Sequence, residues 1–180
     1  MPEKLDFLTP TTLKVLEFFS AHPGAEYHER EVIRNVDISK GSANSILRHL
    51  AGLTLLRRTK KGRMVFYRLN AEDSFVRQIK ILSNLWQLRK IVAENRDKAK
   101  KIILFGSCAQ GTDAGESDID VLIVTDEKQR TKDSVSRFNR KSEKRISPLI
   151  LDFDEFVKMK RLDKPLFERI DRGIVLWETE

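Results

Sequence analysis

Apolar positions at helical spacing open the chain. Leu13, Val15, Leu16 and Phe19 lie between Thr9-Pro10 and His22-Pro23-Gly24, after a short leader of residues 1–9. That spacing predicts a helix over Thr11–Ala21, with Thr9 as N-cap and Pro10 at its first turn. A short extended piece around Glu26 and Tyr27 precedes a second helix over Glu29–Val36, with Val32 and Ile33 inward. Ser39 caps a third helix, which turns Ala43, Ile46, Leu47 and Leu50 inward and Lys40, Ser42, Asn44, Ser45 and Arg48 outward. The runs LLRRT and MVFYRLN then read as two short strands around Lys60-Lys61-Gly62-Arg63, a hairpin whose tight turn Gly62 permits. From Ala71 to about Asp97 the period returns to helical, with Phe75, Ile79, Leu82, Leu85, Trp86, Leu88 and Val92 on a wide apolar face.

Beyond the charged stretch ENRDKAKK the pattern changes to buried strands separated by turns and helices. Ile102 to Phe105 form an apolar strand, Gly106-Ser107 a turn, and a second strand carries Asp118-Ile119-Asp120 ahead of Val121–Val124. The stretch Glu127–Arg145 is a polar, exposed helix anchored by Val135 and Phe138. Ile146–Leu151 is a third strand. Two short helices, DEFVKMKRL and KPLFERIDR, follow it, and Gly173 stops the second before a terminal strand Ile174–Trp177.

The Asp pair carries the chemistry. Side chains alternate along a strand, so Asp118 and Asp120 share one face, and two adjacent carboxylates repel unless a cation relieves them. Hard divalent ions take oxygen ligands of this kind, typically one or two carboxylates together with substrate phosphates. Gly106 lets backbone approach a phosphate closely. Ser107, opening a helix, adds a hydroxyl and free N–H groups at the positive end of the helix dipole. Phosphates at the turn and metal at the Asp pair describe a nucleoside-triphosphate site.

These residues resemble the polymerase-beta-like nucleotidyltransferase superfamily, whose signature is an apolar residue, Gly-Ser or Gly-Gly, a spacer, then Asp-apolar-Asp/Glu-apolar. Phe105-Gly106-Ser107, Gly111 and Ser117-Asp118-Ile119-Asp120-Val121 match it. The resemblance implies Mg2+ or Mn2+ as cofactor, held by Asp118 and Asp120, with Gly106 and Ser107 on the phosphates. It also implies a third carboxylate on a later strand, here RISPLILDF, where the expected place falls near Ser147 or Pro148. Asp152, at the end of that strand, is the candidate. Either Asp152 reaches the site and transfer is intact, or the domain binds nucleotide and metal with weak or no transfer.

Charge separates the two halves. Residues 1–100 hold 19 Lys/Arg against 11 Asp/Glu and residues 101–180 hold 15 against 16, so the net +7 belongs to the first half. No Asp or Glu occurs between Ile38 and Ala71. A basic face on one half points to nucleic acid. The segments YHEREV, ISKGSANSILRHL and KGRMVFYRLN resemble ArsR/MarR-like winged helix-turn-helix regulators. That resemblance implies a third helix in the DNA major groove and a wing on the backbone. Lys40, Ser42, Asn44, Ser45 and Arg48 would then face DNA, with Arg57, Arg58, Lys60, Lys61, Arg63 and Arg68 on phosphates.

The fold class expected is mixed α/β: a winged helix-turn-helix domain over 1–70, a linker or dimerisation helix over 71–97, and a nucleotidyltransferase-like mixed sheet with flanking helices over 98–180. The long helix either docks the two domains within the chain or pairs with its counterpart in a homodimer. With no apolar run of membrane-spanning length, no secretory signal pattern and a single cysteine, Cys108, a cytoplasmic protein without an internal disulfide is expected. Cys108 reads as a small packing residue in the helix after the Gly-Ser turn. The three histidines are too scattered for a metal site. Three functions fit: a DNA-binding protein whose second domain transfers a nucleoside monophosphate to an acceptor hydroxyl, a regulator whose second domain is a nucleotide sensor or dimer platform, or an antitoxin with a separate toxin partner.

Overall fold

The computed structural model describes residues 5–142 and 144–179, so residues 1–4 of the expected leader lie outside the described residues. The chain divides after Gln78 into two compact units. Among the described residues no helix is long and apolar enough to cross a membrane.

The first unit follows the predicted order. After one 3₁₀ turn at Leu5–Phe7 come α1 (Pro10–Ala21), β1 (Tyr27–His28), α2 (Glu29–Val36), α3 (Lys40–Gly52), β2 (Leu56–Lys61) and β3 (Met64–Leu69). Each helix begins at a residue whose side chain takes a first-turn N–H: Thr9 accepts from Thr12, His28 from Arg30 and Ser39 from Ser42. A good cap contributes on the order of 1 kcal/mol. His28 also closes a capping box with Glu31, so this histidine has a local structural task. Val15, Leu16, Phe19, Val32, Ala43, Leu47 and Leu50 are buried, as the spacing predicts, whereas Ile46 is only half-buried. The strands form an antiparallel sheet in the order β1-β3-β2. Lys61 pairs with Met64 across a two-residue turn in which Gly62 has φ +61°. Positive φ at the first central residue is the type II′ pattern that matches strand twist.

In the second unit, α4 (Ser74–Asn95), which starts in the first unit's last residues, is followed by β4 (Ala99–Leu104), α5 (Gly106–Gln110), β5 (Ile119–Thr125), α6 (Lys128–Asn139), β6 (Ile146–Leu151), α7 (Phe153–Leu162), α8 (Lys164–Asp171) and β7 (Ile174–Glu178). The sheet order is β6-β5-β4-β7, with β5–β6 parallel and the other pairs antiparallel. Both faces are covered. Leu88 and Ile91 of α4 and Val135 of α6 pack on Ile102, Leu104, Ile119, Val121 and Ile123. On the other face Ile103, Phe105, Leu122 and Val124 meet Ile170 of α8 and Phe156 and Met159 of α7. Burial on two faces explains why β4 and β5 read as continuous apolar runs.

The expected boundary near residue 98 therefore shifts. From Ile79 onward α4 belongs to the second unit, where its Leu88 and Ile91 form part of that unit's core. The apolar face is also wider than what is covered: Leu82 and Trp86 stay exposed, with the Arg89 guanidinium 4.4 Å from the Trp86 ring centroid. Pro148 sits inside β6, opposite Val121, on an outer strand of the sheet.

Candidate functional site

Strand β4 ends at Leu104 and the chain turns at once. Phe105 is extended, its N–H donating to the Asp120 carbonyl at 3.0 Å, and Gly106 follows with φ +71°. Glycine is required here twice over. The left-handed backbone disfavours a side chain, and a Cβ at Gly106 would collide with Oδ2 of Asp120 and lie 3.3 Å from its Cγ. The turn and the second aspartate are thus packed against each other. No side chain caps the first turn of α5, so its leading N–H groups, Ser107 among them, are not claimed by a cap.

Asp118 lies one residue before β5 begins and is exposed, and Asp120 is the second residue of the strand and half-buried. Burial pushes the Asp120 carboxyl above its ordinary range. The Arg169 guanidinium opposes that shift and the negative charge of Asp118 adds to it, which places the two carboxylates within electrostatic reach. Arg169, on α8, stands 3.9 Å from Asp120 Oδ2, beyond hydrogen-bonding distance, with its Cζ 6.0 Å from the Phe105 ring centroid.

The spacer between turn and Asp pair is pinned from below. Gly111, with φ +67°, ends α5 by donating to the Ser107 carbonyl. Asp113 is buried, and Lys80, Asn84 and Lys144 converge on it. Lys80 donates to its carbonyl and stands 3.7 Å from Oδ1, Asn84 Nδ2 lies 3.3 Å from Oδ1, and Lys144 pairs with Oδ2. Burial draws the Lys80 ammonium below its ordinary value, with Asp113 the main opposing influence. Asn84 also donates to the Cys108 carbonyl at 3.1 Å. Cys108 is fully buried, its thiol pushed up by burial and 3.4 Å from the Asp118 carbonyl, so it packs rather than reacts.

Asp152 is not brought to this site. The parallel register sets Asp120 against Ser147 and Val124 against Leu151, so Asp152 follows the far end of the ladder. At about 3.3 Å per residue the separation along the strand exceeds roughly 15 Å. There Asp152 caps α7, accepting from the Glu155 N–H at 2.8 Å, and Lys128 at 2.8 Å holds its carboxyl below the ordinary range. The residue beside Asp120 is Ser147, exposed and without a charge.

Among the described residues no group of three or more His, Cys, Asp and Glu could by itself hold a metal ion. Two carboxylates with the Gly106 backbone cradled against one of them fit a Mg2+ or Mn2+ site that needs substrate phosphates to complete it.

In the first unit, α3 presents Lys40, Ser45, Arg48 and His49 around an open concavity. Of the other expected contacts there, Ser42 hydrogen-bonds Ser39 and Asn44 donates to Glu29 at 2.8 Å. On the hairpin Arg57 holds Asn70 Oδ1 at 3.0 Å, and Lys61 pairs with Glu26 and lies over the Phe66 ring. Arg58, Lys60 and Arg63 are exposed, and Arg57 and Arg68 stand directly opposite one another across the ladder.

Arg169 is the site residue that sequence reasoning missed. An arginine in a short amphipathic helix carries no local signal, and only α8 packing beneath β4 brings it to Asp120.

Comparison with known proteins bears on the second unit. The family model described as polymerase beta nucleotidyltransferase matches residues 87–180. A protein adenylyltransferase candidate of Methanocaldococcus jannaschii, MJ0141, is 37% identical over 75 residues, spanning 38% of this chain and 74% of that protein. Among solved structures, a nucleotidyltransferase candidate from Sulfolobus solfataricus is 22% identical with a TM-score of 0.38, covering 57% of this chain and 86% of that one. The YusO protein of Bacillus subtilis is 19% identical with a TM-score of 0.35 over 39% of this chain, and the match spans about half the length of that structure, 51%. With its Gly106-Ser107 turn and Asp118/Asp120 pair inside a matched segment that takes in more than half its length, this chain belongs to the polymerase beta nucleotidyltransferase family.

Proposed function

We propose that the protein transfers a nucleoside monophosphate, AMP by analogy with the M. jannaschii relative, from a nucleoside triphosphate to a hydroxyl of a protein acceptor in a Mg2+-dependent reaction. The observation that carries the reading is the packing of Gly106 against the Asp120 carboxylate, which supports phosphate binding at the turn and metal binding at the adjacent Asp pair. Gly106 and Ser107 bind the β- and γ-phosphates with backbone N–H groups. Asp118 and Asp120 hold the metal. Bound there, the ion supplies charge neutralisation of the triphosphate and acidifies the acceptor hydroxyl. The acceptor oxygen bonds to the α-phosphorus, the α–β bridging P–O bond breaks, pyrophosphate leaves, and the acceptor proton passes to solvent. Positioning and charge carry most of such a reaction, so two carboxylates and a backbone cradle are a workable minimum.

The first unit we read as a winged helix that binds DNA, with α3 in the major groove and β2–β3 as the wing. Its support is the acid-free basic segment and the Arg57–Arg68 opposition, because like charges across a ladder are unfavourable and an anion between them removes the cost. A second reading is favoured by one observation: the β6 residue beside Asp120 is Ser147 and not a carboxylate, and without a base there the second unit would sense nucleotide within a transcription regulator.

Calorimetric titration of ATP with and without Mg2+ on the wild type and Asp118→Ala/Asp120→Ala tests the site. Binding that needs Mg2+ and is lost in the double variant is expected, and Mg2+-independent or absent binding would sink both readings. Incubation with labelled ATP and cell protein then separates transferase from sensor.

A further inference from the structure

We propose that Arg169 is an exchangeable cation of the nucleotide site. It stands beside Asp120 and passes to the triphosphate when metal and nucleotide arrive. The inference rests on the reading above and assigns a task to a residue that the family motif does not include.

Two observations converge on one oxygen, and a third on the cation beside it. Oδ2 of Asp120 is the atom a Cβ at Gly106 would strike, and it is also the oxygen that pairs with the Arg169 guanidinium, at 3.9 Å. Phe105, which leads into the Gly106 turn, lies under the same guanidinium. Arg169 therefore stands at the junction of the phosphate turn and the carboxylate pair, and phosphates bound at Gly106-Ser107 fall within the reach of its long side chain.

Its present pairing is weak. The side chain is 61% exposed, the distance is too long for a hydrogen bond, and exposed ion pairs of this kind are readily exchanged. The backbone beneath it is firm, because the next residue, Ile170, is 1% exposed and packs against the sheet. Movement is thus confined to the side chain.

Charge fixes the direction of exchange. A divalent ion seated on Asp118 and Asp120 satisfies the carboxylates and repels the guanidinium. The incoming triphosphate carries more negative charge than that ion offsets. A guanidinium presents five donors in a planar fork suited to phosphate oxygens, which an ammonium does not reproduce.

The test compares full-length wild type, Arg169→Ala and Arg169→Lys by two measurements with opposite expected signs. Mn2+ binding without nucleotide, read by electron paramagnetic resonance, should tighten by about 3- to 5-fold in Arg169→Ala, since a competing positive charge near the carboxylates is gone. Mg·ATP binding, read by calorimetry, should weaken by about 10- to 100-fold in Arg169→Ala, the worth of a charge-assisted contact, with Arg169→Lys in between. Loss of both affinities together would mark a merely structural residue, and no change in either would mark an idle one; each overturns the proposal. If wild type itself binds no Mg·ATP, the nucleotide-site reading falls and takes the proposal with it. If wild type binds and Arg169→Ala binds equally well, the proposal alone falls.

Discussion

The Asp120 carboxyl is held above its ordinary value of 3.8 chiefly by burial, with Asp118 adding repulsion and Arg169 partly relieving both. In the unfolded chain that burial is absent. The folded state therefore binds the Asp120 proton more readily than the unfolded one, and stability is lost as pH rises through the window from the unfolded to the raised folded pKa. Above that window the ionised carboxylate weighs on the fold in full. Asp120→Asn should raise the melting temperature near neutral pH by about 2–4 °C, and the gain should fade as pH drops below the ordinary carboxylate range. Thermal melts across pH read this directly, and a gain independent of pH would show that charge is not its source.

At the scale of elements, β6 decides what the site lacks. Its parallel register puts Ser147 beside Asp120 and carries Asp152 to the opposite end. Ser147→Asp would place a third carboxylate on the neighbouring strand. Labelled-ATP transfer to acceptor protein should then rise by about 100-fold, the low end of the range for a general base. A rate at or below wild type would show that this strand position does not face the acceptor.

The same strand shows where sequence reading stops. Gly106, Ser107, Asp118 and Asp120 were legible because a strand, a turn and a strand close together in sequence fix their own geometry. Alternation could assign Asp152 a face but not a place along the ladder, since the direction of pairing is set by β5 and not by residues of β6. Arg169 gives no signal for a related reason: it meets Asp120 only because α8, 49 residues on in sequence, packs on the sheet face that Asp120 shares with Leu122 and Val124. The helical period of α4 is legible, yet nothing in its spacing reveals that Lys80 and Asn84 converge on Asp113.

Across the whole molecule, the acid-free basic segment between Ile38 and Ala71 lies in the first unit and the Gly106-Ser107 and Asp118/Asp120 motif in the second. The hairpin's cations are not equivalent. All four of Arg57, Lys60, Lys61 and Arg63 are exposed, but Lys61 is engaged by Glu26 and Arg57 by Asn70. If the hairpin contacts DNA phosphates, Lys60→Ala/Arg63→Ala should lower the slope of log affinity against log salt by about 2, near 0.9 per contact. Lys61→Ala should change it by less than about 0.5 on the same scale. Gel shifts over a salt series distinguish the two, and equal slopes would remove the hairpin from the interface.

Pro148 sits one position from Ser147 on an outer strand. Lacking an N–H, it spoils the free edge of β6 as a template for strand addition. A polypeptide acceptor cannot readily extend this sheet next to the Asp pair. It would have to offer its hydroxyl end-on, from a loop or a chain terminus, and a substrate screen should therefore favour flexible segments over β-strands.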